Sequence, residues 1–126
     1  MKLDMDLVRK ILIALEEHPH GFYNQFLKIE GYSDEQIGYH ITLMEEAGLL
    51  VAIDATSMGS ESPEAMPSRL TWHGHQFLNA CRDDGRWARA TEIFRQAGGV
   101  SFDIAKEVLV RLMMTSVTTV LTGGAA

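Results

Sequence analysis

The sequence has little of what holds a secreted protein together or runs a catalytic cycle. One cysteine, Cys81, stands in 126 residues. A lone thiol closes no internal disulfide, so the fold must rest on its core, and a reducing cytoplasm is the expected home. No run of about 18 apolar residues occurs, so no membrane-spanning helix is expected. The first ten residues, MKLDMDLVRK, mix acids into their start and lack a separate apolar segment with a cleavage site, so no signal peptide is expected. Nucleophile elbow, phosphate loop, dinucleotide fingerprint and zinc-binding His-Glu motif are all missing. Neither an enzyme nor a cofactor is expected, and Cys81 in FLNACRDD reads as a small buried residue.

Positive charge is scarce in one half. The net charge is −6, which argues against a generic polyanion binder. Residues 1–70 carry twelve acids and five bases, −7, whereas residues 71–126 carry five acids and six bases, +1. Convergent metal ligands are missing as well. His18 and His20 form HPH, and His73 and His75 form HGH. Side chains two apart on a helix diverge by roughly 160°, and zinc needs convergent ligands, so no metal site is expected.

What is present is a set of amphipathic elements, 46% hydrophobic overall. Asp4 is a candidate N-cap for a first helix in which Val8, Ile11, Leu12 and Leu15 share one face. HPHG at 18–21 ends it, and FYNQFLKIEG at 22–31 suits an extended piece or short strand. Ser33 with Gln36 three residues on forms a capping box, opening a helix that Gly48 closes. LLVAID at 49–54 reads as a strand, 55–68 as a polar wing loop with Pro63 and Pro67, and RLTW at 69–72 as a second strand. Thr71 then caps a third helix. GRWARATEIFRQA at 85–97 and a last helix begun at Ser101 follow.

That order predicts a mainly α protein with a small β-hairpin: a winged helix-turn-helix domain at 1–82 and a helical extension at 83–126 in the same compact unit. Leu70, Thr71 and Gly74 match an LTxxG turn common in winged-helix regulators. The blocks MDLVRKILIALEE, GYSDEQIGYHITLMEEAGLL and RLTWHGHQFLNACRDD, with a GG-S-D pattern after residue 98, resemble a bacterial and phage-associated family of unknown function, DUF2513. The resemblance covers about residues 2–110. It implies a winged-helix-like fold and carries no established activity.

Two functional readings follow. A transcription-regulator-like DNA binder would bring Gln36, Tyr39 and Thr42 to the groove and Arg69, Arg82, Arg86 and Arg89 to phosphates. The last three share a face if the helix through 82–95 is continuous; the alternative is a solvated face paired with Asp83, Asp84 and Glu92. Against DNA, a helical wheel over 34–47 turns Ile37, His40, Ile41, Leu43, Met44 and Ala47 inward. Asp34, Glu35, Glu45 and Glu46 then face out beside Gly38, Tyr39 and Thr42, with no base among them. Four acids repel phosphates. The other reading is a protein-interaction module that binds a basic partner through that acidic helix and Tyr39. His40, on the apolar arc, reads as a hydrogen-bonded core residue. The last helix is apolar over most of its circumference. It predicts a homodimer through Ile104, Val108, Leu109, Leu112, Met113 and Val117, and serves the interaction-module reading as well; the alternative is that it packs on helix 5–15 of the same chain.

Overall fold

A computed structural model describes residues 1–123. Its elements are α1 (Met5–Glu17), α2 (Asp34–Glu46), β1 (Leu50–Asp54), β2 (Ala65–Leu70), α3 (Trp72–Cys81), α4 (Asp84–Gln96) and α5 (Phe102–Leu121). Among the described residues the architecture is five helices and one antiparallel two-stranded hairpin. Two compact units divide within α3, the first Met1–Leu78 and the second beginning at Asn79.

In the first unit, α1 starts where its cap dictates. The Asp4 carboxylate accepts from the Asp6 and Leu7 N–H groups, satisfying donors a helix start leaves free. Leu7, Val8, Ile11, Leu12 and Leu15 are buried, the stripe its spacing predicts. The capping box of α2 is complete: Gln36 N–H donates to Ser33 Oγ, and Ser33 N–H to Gln36 Oε1. Gly48 ends the helix at φ 78°, a left-handed conformation that costs glycine little.

The wing is longer on its return side than expected. β2 begins at Ala65 and takes in Pro67, which the sequence places in the loop. The register explains how a proline is tolerated there. Val51 pairs with Arg69 but Ala52 pairs with Pro67, so the ladder carries a bulge at Ser68, and bulges admit a residue that cannot donate. The Ala52 N–H turns instead to the Glu45 carboxylate on α2, 2.7 Å away.

The LTxxG turn has a steric basis. Thr71 Oγ1 accepts from the Gly74 N–H, capping α3, and donates to the Gly48 carbonyl. The start of α3 lies so close to β1 that a Cβ on Gly74 would sit 1.9 Å from the Leu49 carbonyl oxygen. Only glycine leaves room for that contact.

Residues 18–33 form no helix, so α1 and α2 are joined by the extended piece expected at 22–31 and not by a short turn. The segment runs extended beside β2: the Tyr23 and Asn24 N–H groups donate to the Ser68 and Pro67 carbonyls at 2.7 and 3.0 Å. No regular strand forms, because Asn24 turns out of the pairing at φ 47°.

The run through 82–95 is not one helix: α3 and α4 are separate helices. Asp83 breaks the run with an extended backbone and accepts from the Arg86 N–H as the N-cap of α4. The continuous helix on which Arg82, Arg86 and Arg89 would align therefore does not exist. Trp87, Ala90 and Phe94 are the buried face of α4, and Trp87 meets Phe94 edge to face. Ser101 caps α5, whose buried residues are Ala105 and Leu109. Cys81 is buried, as its surroundings predict.

Candidate interaction surface around helix α2

His40 shows how α2 is held. Its ring is 1% exposed. Nδ1 lies 2.8 Å from the Gln36 carbonyl, and Nε2 lies 2.8 Å from the Asp4 N–H. A carbonyl only accepts and an amide N–H only donates, so the ring is the neutral tautomer with its proton on Nδ1. The imidazole thereby ties the start of α1 to α2. Its role is structural, as the apolar arc suggests.

The outward face of α2 is less open than the wheel implies. Gly38, placed outside by periodicity, is buried. A Cβ there would stand 2.9 Å from the Pro63 carbonyl, because the wing folds onto the helix at this point. Leu43 is only half-buried and Ala47 is exposed, although both fall on the inward arc. Helical phase sets the direction of a side chain; what covers it depends on the wing, which the phase does not encode.

The acids of α2 are largely engaged with their own chain. Asp34 pairs with Lys28 at 2.7 Å. Glu35 accepts from the Ser62 hydroxyl in the wing. Glu45 accepts from Ala52 N–H at the bulge. The residues proposed for base contacts are similarly occupied. Gln36 completes the capping box, Thr42 donates to the Gly38 carbonyl, and half-buried Tyr39 lies edge-on to His40.

The wing itself is internally bonded. Ala55 N–H donates to the Glu64 carbonyl and Glu64 N–H to Thr56 Oγ1. Asp54 accepts from Thr56 N–H, and hydrogen bonding to Thr56 holds its carboxyl below the ordinary 3.8. Between the wing, the start of α2 and residues 26–28 lies a groove of about 600 Å³. Leu27, Ile37, Pro63 and Ala65 supply apolar wall, and Phe26, 57% exposed, stands at its edge. Sequence reading did not single out this groove. Phe26 was legible as an aromatic, but its exposure depends on how Asn24 turns the chain.

The remaining arginines fall in two places. Arg69 is exposed on β2 and donates to the Leu70 carbonyl at 3.3 Å. In the second unit, Arg82 donates to Asn79 Oδ1. Arg86 donates to the Asn79 and Ala80 carbonyls, covering the carboxyl end of α3. Arg89 is exposed on α4, and Arg95 pairs with Glu92. Asp83 serves as the cap of α4.

Of the residues expected at a dimer contact, Leu109 is fully buried and Val108, Leu112 and Met113 are partly covered. Ile104 and Val117 are exposed, joined by Val110, Met114, Val120 and Leu121. His73 and His75 are exposed; His18 stacks edge-on with His20 and Tyr23. Among the described residues no group of three or more His, Cys, Asp or Glu could hold a metal ion. No described helix is long and apolar enough to cross a membrane.

Comparison with known proteins agrees with the resemblance read from the sequence. A family model described as "Hypothetical protein (DUF2513)" matches residues 2–101. A protein of Haemophilus influenzae, described as an uncharacterized protein, is 34% identical over 117 residues, covering 86% of this chain and 92% of the relative. No solved structure matches the chain.

Proposed function

The chain belongs to the DUF2513 family, and we propose that its first unit is a winged-helix derivative that works as a protein-interaction module. The observation that carries this reading is the state of α2. Its outward side has no base, three of its four acids, Asp34, Glu35 and Glu45, are bonded to Lys28, the wing and β1, and its Gly38 is roofed by Pro63. A helix that enters the major groove needs an uncovered face and cations beside it. Here the wing covers Gly38, and the base beside the helix, Lys28, is paired with Asp34.

A DNA-binding reading retains one support, the order α1, extended segment, α2, hairpin and α3, which is that of a winged helix. That is an argument from fold, and folds of this kind host several functions. Such binding would rest on Arg69 and Arg89, since Gln36, Thr42, Arg82 and Arg86 are engaged within the chain.

The test is backbone-amide mapping by nuclear magnetic resonance. A randomised 16-base-pair duplex is added to labelled protein at about 50 mM salt, where phosphate contacts are strong. The interaction reading expects no saturable shift at Gln36, Tyr39, Thr42 or Arg69. Shifts at those positions that disappear by about 200 mM salt, as released counterions demand, would overturn it.

Self-association through α5 belongs to the same proposal. Its contact would be formed by Val110, Met114, Val117 and Val120, which are exposed, while Leu109 serves the core of the second unit. Sedimentation equilibrium of wild type beside Val117→Asp tests this. A dimer lost in the variant supports it, and a monomeric wild type refutes it.

A further inference from the structure

We infer that the groove between the wing and α2 receives a cationic, apolar-containing segment of a partner protein. This rests on the reading of the first unit as an interaction module and names the chemistry of its partner.

Size comes first. At about 600 Å³ the groove falls within the range of ligand-binding clefts, roughly 300–1,000 Å³. It therefore has room for more than one side chain. Its walls are mixed in a way that selects among occupants. Leu27, Ile37, Pro63 and Ala65 offer apolar surface, and Phe26 adds an exposed aromatic of the kind that anchors protein contacts.

Charge decides the rest. Asp34, Glu35, Glu61 and Glu64 line the groove against a single base, Lys28, a local balance of −3 from four acids and one base. Lys28 is already committed to Asp34. Glu35 takes a neutral donor, Ser62, and so keeps its charge uncompensated. A nucleic-acid backbone would meet those carboxylates without a counter-charge. An Arg or Lys beside a Leu-sized side chain would satisfy both the rim and the wall.

A second copy of this chain is a poor occupant. Arg82, Arg86, Arg95 and Arg111 are bonded within their own molecule, Arg69 stands between buried Ser68 and Leu70, and exposed Arg89 has exposed Glu92 three residues on. The occupant assigned is a different polypeptide with an exposed basic and apolar stretch.

The groove also has a built-in dependence on its floor. The wing approaches α2 closely only because residue 38 lacks a Cβ. A larger residue there must push Pro63 outward and widen the groove.

The test uses the full chain and three fluorescein-labelled twelve-residue peptides, read by anisotropy at 150 mM salt. One alternates Arg and Leu, one replaces each Arg by Glu, and one replaces each Leu by Gly. The expected result is saturable binding of the Arg/Leu peptide, with each control at least tenfold weaker. Glu61→Lys/Glu64→Lys should weaken the Arg/Leu peptide at least tenfold, and Phe26→Ser by a similar factor. Failure of the Arg/Leu peptide to saturate would overturn the inference. So would equal binding of the Arg/Gly peptide, which signals charge alone, or affinity unchanged in both variants.

Should a variant unfold, wild-type amide mapping with the Arg/Leu peptide decides. Shifts clustered at Phe26, Glu35, Gly38 and 61–65 support the groove, and shifts confined elsewhere refute it. The two proposals fail separately. A chain that binds neither peptide nor duplex loses the stated partner, whereas duplex binding through α2 loses the underlying reading.

Discussion

On α2, Asp34, Glu35 and Glu45 all reach back to their own chain, and the wing lies across Gly38. On α5, no charged residue occurs from Leu112 to Gly123, and Met114, Val117, Val120 and Leu121 stand exposed. The helix whose charge pattern advertises a surface is thus partly closed, and the one whose pattern advertises a core is partly open. Periodicity reports which way side chains point. Whether anything lies over them is settled by segments far away in sequence.

This contrast is open to attack at several points, in decreasing order of expected effect. Gly74→Val should be the most damaging change, because even a Cβ meets the Leu49 carbonyl at 1.9 Å. A loss on the order of 4 kcal/mol is expected from overpacking against immovable backbone. Urea unfolding would show it, and a variant of wild-type stability would break the account of the LTxxG turn.

Next comes a matched pair that addresses burial directly. Leu12→Ala on α1, fully buried, should cost about 3 kcal/mol through lost transfer energy and cavity formation. Val117→Ala on α5, 43% exposed, should stay within about 0.5 kcal/mol in the monomer. A large loss from Val117→Ala at low protein concentration would mean that the α5 face is covered within one chain.

His40→Leu should cost about 2 kcal/mol. It keeps the apolar volume but leaves the Asp4 N–H and the Gln36 carbonyl without their partner. Thermal melting measures it, and neutrality would show that water replaces the ring. Ser33→Ala is the smallest, about 1 kcal/mol for one lost cap bond.

Much of the fold was legible because its signals are local. Asp4, Ser33, Thr71 and Ser101 cap helices within three residues of themselves, and Gly48 must turn where an L side chain is strained. What escaped is non-local. Pro67 looked like a loop residue because the bulge that tolerates it is set by register against Ala52. Arg82, Arg86 and Arg89 share a face only on a continuous helix, and Asp83 interrupts the run as the cap of α4. The candidate groove was invisible for the same reason. Phe26, Ile37 and Pro63 are far apart in sequence and meet only once the wing folds onto α2.

In the proposed reading, the α2 face of the first unit is committed to its own chain and makes no contact with nucleic acid. The most direct measurement is fluorescence anisotropy of a labelled randomised duplex titrated with wild type and with Arg69→Glu/Arg89→Glu, from about 50 to 200 mM salt. The account predicts no saturable binding by either protein even at the lowest salt. Wild-type binding that weakens steeply with salt and is lost in the double variant would contradict it.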